Sequence, residues 1–138
     1  MIREATVEDI PRIVELGAEF LAYSPYRHHA LDHEAFANFA AGLITSDTGV
    51  VLLSDDGMFG GLITGLYFNP AIRVASELFW WARKEGRQLR EAFEAWAKAN
   101  GAEEVHMTGL LDERAGTIAK VFKRAKYAPS EVAFVKRF

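Results

Sequence analysis

Cysteine is absent from all 138 residues, which removes disulfides, thiolate metal sites and cysteine nucleophiles together. No apolar run approaches the ~20 residues needed to cross a bilayer, and no basic stretch followed by an apolar one opens the chain. A strong charge of one sign is missing too. At a net charge of −3, no global field draws the chain to nucleic acid, and any such role needs a local basic patch. These absences lead to the expectation of a cytoplasmic protein with neither nucleic acid nor membrane as partner. What is present is 50% apolar and 25% charged residues, the balance of a globular protein. The length suits one domain, residues 1–138, able to bury about two-thirds of its unfolded surface.

Along the chain, Ile2 to Ala5 reads as a short strand, and Thr6 with Asp9 as a capping box. Ile10, Ile13, Val14, Gly17, Phe20 and Leu21 then recur at helical spacing, with Pro11 delaying regular hydrogen bonding by a turn. After Ser24-Pro25-Tyr26 comes a second helix carrying Phe36, Phe39, Ala40, Leu43 and Ile44 on one face. Val50 to Leu53 is a continuous apolar strand, and Asp55-Asp56-Gly57 a hairpin turn signal. Met58 to Phe68 is the returning strand, in which Gly60, Gly61 and Gly65 predict close backbone approach or a bulge. Asn69-Pro70 is expected to end it. Ala75 to Ala82 is an aromatic-rich strand, Gly86 to Asn100 a helix with Leu89, Ala92, Phe93, Trp96 and Ala97 as its stripe, and Val105 to Thr108 a strand. A helix over Ala115 to Lys126 and a strand over Val132 to Phe138 close the chain. This order implies an α/β fold, a mixed sheet with helices on both faces and a parallel crossover from Ala75 to Thr108.

The junction from Trp81 to Leu89 carries the chemistry. A strand ends, Arg83-Lys84-Glu85-Gly86 turns, and a helix begins. The first turn of a helix offers unpaired N–H groups and the positive end of its dipole, which suit an anion such as a pyrophosphate. Gly86 lets a ligand approach the backbone, and Arg83, Lys84 and Arg87 add positive charge. By itself such a turn is common, and most bind nothing.

The order of elements, the opening Ile2-Arg-Glu-Ala-Thr-Val-Glu-Asp-Ile10, and Glu77-Leu-Phe-Trp-Trp81 followed by Gly86 to Lys98 resemble the GNAT superfamily of N-acetyltransferases over essentially the whole chain. Ser24-Pro25-Tyr26, Asn69-Pro70 and Trp80-Trp81 are similar to its small members from phages and prophages. The superfamily signature is Gln or Arg, two residues, Gly, one residue, then Gly or Ala. Aligned through Leu89, Ala92 and Phe93, Gly86 takes the last glycine and Lys84 the first, in a shortened turn; alternatively Arg83 starts the signature, Gly86 is its first glycine and Gln88 its last position. The resemblance implies a mostly antiparallel twisted sheet and acetyl-coenzyme A as cofactor. It implies that amides of Glu85, Gly86, Arg87 and Gln88 hold the pyrophosphate. It also implies that the strand end at Trp81 and Ala82 meets the pantetheine and aims an N–H at the thioester oxygen, an oxyanion-hole contact.

Transfer to an amine needs a base. Glu77, read as two and four residues from Phe79 and Trp81 on one strand face, is a carboxylate among aromatics with a raised pKa. In the superfamily a glutamate on this strand is often the base; the other reading is a sheet glutamate that is hydrogen-bonded or facing solvent. His106 on the neighbouring strand is the second candidate. The superfamily's general acid is a tyrosine of the last helix; here Phe122 stands at that position, Ala115 at its asparagine, Lys126 at its glycine, and Tyr127 at its packing aromatic. A phenyl ring donates no proton. Phe122 is therefore expected only to line the cofactor, and the alternative function is a catalytically weak or inactive binding protein, such as a phage-encoded modifier of a host protein.

The loop before the second helix borders the acceptor site in the superfamily, so Tyr26, His28 and His29 are expected to touch a primary amine on a small molecule or protein. His28, His29 and His33 lack the ordered spacing of metal ligands, and no metal is expected. The aromatics at core spacing read as packing rather than a base-stacking platform. Lys120, Lys123, Arg124, Lys126, Lys136 and Arg137 read as a solvated face or a dock for the coenzyme 3′-phosphate or an acidic partner. Relatives often dimerise, so the resemblance allows a homodimer, although no stretch marks an interface.

Overall fold

The first helix is set by Asp9. In the computed structural model, which describes residues 1–110 and 115–138, the Asp9 carboxylate accepts the Thr6 N–H at 2.8 Å and both guanidinium N–H groups of Arg3 at 2.7 Å. The Arg3 hydrogen bonds, and then the Thr6 amide, hold this carboxyl well below the usual carboxylate range. Val7–Asp9 forms one 3₁₀ turn before α1 (Ile10–Tyr23), the delay expected from Pro11, which has no N–H to give. Asp32 caps α2 (His33–Thr45) by accepting the Ala35 N–H at 3.0 Å. The two helices cross where Gly17 lies under the Phe36 ring, a place with no room for a Cβ.

The chain divides into two compact units, Met1–Thr108 and Gly109–Phe138. The first holds a five-stranded sheet in chain order: β1 (Arg3–Glu4), β2 (Gly49–Leu53), β3 (Gly57–Leu66), β4 (Asn69–Ala82) and β5 (Glu104–His106). β1 to β4 are antiparallel, and β5 lies parallel to β4, the two joined through α3 (Gly86–Ala99). Side chains leave alternate faces of a strand, so the sheet supports two cores. On one face Ile13, Leu16, Ala40 and Leu43 of α1 and α2 pack on Val51, Leu53, Met58, Phe79 and Trp81. On the other Leu89, Phe93 and Ala97 of α3 pack on Val50, Leu52, Phe59, Ile63 and Ala75. The mixed, mostly antiparallel sheet with helices on both faces is the architecture expected from the sequence.

Two elements differ from expectation. Asn69-Pro70 begins β4 rather than ending β3: the register slips between Gly65 and Leu66, and this irregularity holds Pro70, whose missing N–H would otherwise interrupt a ladder. β3 and β4 therefore form one long hairpin with Tyr67 and Phe68 exposed at its tip. A second slip lies between Gly60 and Gly61, where the glycines led to the expectation of a bulge. Finally, Val132 to Phe138 is not a strand. The segment pairs with no strand among the described residues, and Val132, Phe134, Val135 and Phe138 are exposed.

Within the second unit α4 (Ala115–Arg124) ends on a complete Schellman motif. Lys126 N–H donates to Lys123 O at 3.1 Å, Tyr127 N–H donates to Phe122 O at 2.9 Å, and the Phe122 and Tyr127 rings pack at 5.5 Å. This motif requires a left-handed residue, and Lys126 supplies it at φ 66°. Lys126→Gly is expected to raise stability by about 1 kcal/mol by removing the Cβ clash, measured by urea unfolding.

Candidate active site

β4 is bulged beside Glu77. Gly60 pairs with Phe79 but Gly61 with Glu77, so Leu78 is an extra residue with no partner position in β3. Paired residues share a face. A Cβ on Gly60 would strike the Phe79 ring, whereas one on Gly61 would strike the Phe93 ring of α3. Phe79 and Trp81 therefore face α1 and α2, and Glu77 faces the α3 side. This corrects the expectation that Glu77 shares a face with Phe79 and Trp81: period-2 counting fails across a bulge.

Glu77 sits where the β4–β5 ladder ends. The last register pair is Ser76 with His106, while β4 runs on to Ala82. The Glu77 Oε2 accepts the Thr108 N–H at 3.1 Å. Burial pushes the Glu77 carboxyl up to about 7, against a smaller lowering by that hydrogen bond. A half-buried carboxyl that is part ionised at neutral pH is suited to accept a proton. His106 is different. It pairs with Ser76, so it leaves the sheet on the face opposite Glu77, and its Nε2 lies 2.8 Å from Glu104 Oε2 at an exposed edge. The structure does not bring the two catalytic candidates together.

The turn after β4 is held from below by Asp56, at the tip of the β2–β3 hairpin. Arg83 N–H donates to Asp56 O and Lys84 N–H to Asp56 Oδ1, both at 3.3 Å. Glu85 then takes the left-handed conformation, φ 58° and ψ 16°, which costs a residue with a Cβ on the order of 1–2 kcal/mol. No side chain caps α3, and the amides of Gly86, Arg87 and Gln88 meet no acceptor among the described residues. A left-handed residue feeding a helix turns successive N–H groups toward one point, the concavity known to hold anions. A Cβ on Gly86 would make only ordinary contacts, at 3.7–3.8 Å, with the Trp80 and Ala82 side chains. The protein itself does not require glycine there. Of the cations, Arg87 pairs with Glu91 at 2.7 Å and Arg83 with Glu19 at 3.1 Å, while Lys84 has no ion-pair partner among the described residues.

The strand end is walled by residues that the sequence did not mark. Trp81 Nε1 donates to Glu19 Oε2 at 3.4 Å, and Tyr23 stacks on the Trp81 ring at 5.3 Å with 67% of its surface exposed. Glu19 and Tyr23 sit four residues apart on α1, the spacing that shares a helix face, and this was the only available signal. Tyr26, His28 and His29 lie in the exposed loop after α1; Ser24 fixes its start, with Oγ accepting the Tyr26 N–H at 3.1 Å. The His28 and His29 rings pack together at 4.0 Å. Ala82 pairs with Gly57. Phe122 belongs to the second unit and packs on Tyr127 there.

No family model and no curated protein matches this chain. Solved structures do. An aminoglycoside acetyltransferase from an uncultured soil metagenomic sample is 12% identical with a TM-score of 0.73, over 100% of this chain and 97% of that one. A ribosomal-protein-alanine N-acetyltransferase from Brucella melitensis biovar Abortus 2308 is 13% identical at a TM-score of 0.70, over 100% and 99%. This chain has the GNAT acetyltransferase fold. A transcriptional regulator from Bacillus halodurans C-125 is similar too, 16% identical at a TM-score of 0.74 over 100% and 99%. The GNAT fold therefore does not by itself fix an activity. No helix among the described residues is long and apolar enough to cross a membrane.

Proposed function

We propose that this protein is an acetyl-coenzyme A-dependent N-acetyltransferase acting on a primary amine of a small molecule or protein. The observation that carries this reading is the uncapped start of α3, where a left-handed Glu85 leads into three amides with no acceptor among the described residues. It follows directly on a strand that outruns its ladder beside a half-buried carboxylate. The residues fit the cofactor: amides of Gly86, Arg87 and Gln88 would hold the pyrophosphate, and Lys84 would add charge. When bound, acetyl-coenzyme A supplies an acetyl group activated as a thioester. Glu77 Oε takes the proton from the acceptor ammonium, so that the nitrogen has a lone pair with which to attack. Glu19 and Tyr23 brace the Trp81 end of β4, and the loop with Tyr26, His28 and His29 contacts the acceptor.

Thermal-shift titration tests the reading, since a ligand at a hundred times its dissociation constant adds about 2.7 kcal/mol to stability. No shift with acetyl-coenzyme A would refute it. Gly86→Ala is expected to leave the unliganded melting temperature unchanged or slightly raised, because the added methyl makes only ordinary contacts with Trp80 and Ala82 and alanine favours a helix. The second reading, a protein that binds the cofactor without turnover, is favoured by the Glu77 carboxylate being already engaged by Thr108 and by Phe122 replacing a proton donor. A thermal shift without thiol release across an amine panel would select it.

A further inference from the structure

The hairpin signal Asp55-Asp56-Gly57 does more than reverse the chain. Ser54 N–H donates to Gly57 O at 3.0 Å, closing the turn, and Arg12 of α1 donates to Asp55 O at 3.2 Å, tying the tip to the first helix. Gly57 presses against the end of β4: a Cβ there would lie 2.9 Å from Trp81 O and overlap the Ala82 methyl. Asp56 then accepts two successive N–H groups of the turn, Arg83 on its carbonyl and Lys84 on its side chain. These are the last two amides before Glu85 goes left-handed. A turn whose first two N–H groups are held cannot rotate to point them at a ligand, nor can it unwind to relieve Glu85. The N–H groups from Glu85 to Gln88 meet no acceptor among the described residues and remain for an anion.

We propose that Asp56 is a positioning residue for the cofactor, acting through the turn rather than by touching the ligand. This rests on the acetyl-coenzyme A reading above. Its role needs an acceptor oxygen at Oδ1 and not a charge; the carboxylate's charge works against a bound pyrophosphate across the turn. An amide oxygen in the same place keeps the brace and removes the repulsion.

The test compares Asp56→Ala, Asp56→Asn and Asp56→Glu with the unaltered protein, by calorimetric titration with coenzyme A and by steady-state kinetics. Asp56→Ala is expected to raise the coenzyme A Kd and the acetyl-coenzyme A KM about tenfold, with kcat at saturation unchanged. Asp56→Asn is expected to bind at least as tightly as the unaltered protein. Asp56→Glu, displaced by one methylene, is expected to behave like alanine and stands in for it should that variant fail to fold. Binding by the unaltered protein and undiminished binding by both Asp56→Ala and Asp56→Glu would overturn the proposal and leave the cofactor reading intact. A fall in kcat with KM unchanged would also overturn it. Failure of the unaltered protein to bind coenzyme A would overturn both.

Discussion

Glu77→Gln is expected to lower acetyl transfer by about 10²- to 10⁴-fold, the range for removing a general base, and at the same time to make the protein more stable above pH 7. Burial holds the Glu77 carboxyl protonated up to about pH 7 in the folded chain, against 4.5 for an unperturbed one. Below pH 4.5 both folded and unfolded states carry the proton, and Glu77 contributes nothing to the pH dependence. Between 4.5 and 7 the unfolded chain releases it while the folded chain keeps it, so stability falls as pH rises through this window. Above 7 the full cost is present, on the order of 2–3 kcal/mol. Glutamine has no charge to desolvate, and its amide oxygen can still accept the Thr108 N–H. Urea unfolding at pH 4 and pH 8 should therefore show the two proteins alike at the first and the variant ahead at the second.

The kinetic half of this expectation has its own signature. The rate of the unaltered protein should rise with pH through about 7 and then level, following ionisation of one group, and the variant should lose that limb. A variant with full turnover and the same pH profile would remove Glu77 from the mechanism. A variant no more stable at pH 8 would show that water reaches the carboxylate, and the raised pKa would go with it.

Much of this site could be read from residue types, because its parts are local. The capping box of Thr6 and Asp9, the hairpin at Asp55 to Gly57 and the start of α3 at Gly86 each depend on neighbours within a few residues. Gly60 and Gly61 even announced a bulge. Its consequence was hidden because the extra residue, Leu78, lies on the partner strand, and only the register tells which strand carries it. Glu19 and Tyr23 look like any polar and aromatic residues of an amphipathic helix until Trp81 is seen beneath them. Val132 to Phe138 shows the opposite failure: its composition suits a strand, but a strand is defined by a ladder, and a ladder needs a partner that composition cannot name.

Phe93→Ala should cost about 3–5 kcal/mol, measured by urea or thermal unfolding, and should also abolish the thermal shift given by acetyl-coenzyme A. Phe93 is fully buried, stacks on Phe59 at 4.4 Å and on Trp96 at 5.5 Å, and lies two turns inside the helix whose first amides form the proposed anion cradle. Its ring also fills the space above Gly61, the residue opposite Glu77. The same contact predicts a coupling. Gly61→Ala alone should cost roughly 1–3 kcal/mol, because the new methyl overlaps the Phe93 ring and stands 2.7 Å from Ser76 O. Once Phe93 is alanine, the ring no longer resists the methyl, and part of the cavity is refilled. The double variant should therefore be more stable than the sum of the single losses by about 0.5–3 kcal/mol. Strict additivity would mean that the ring does not rest on the bulge, and that α3 and Glu77 are positioned independently of each other.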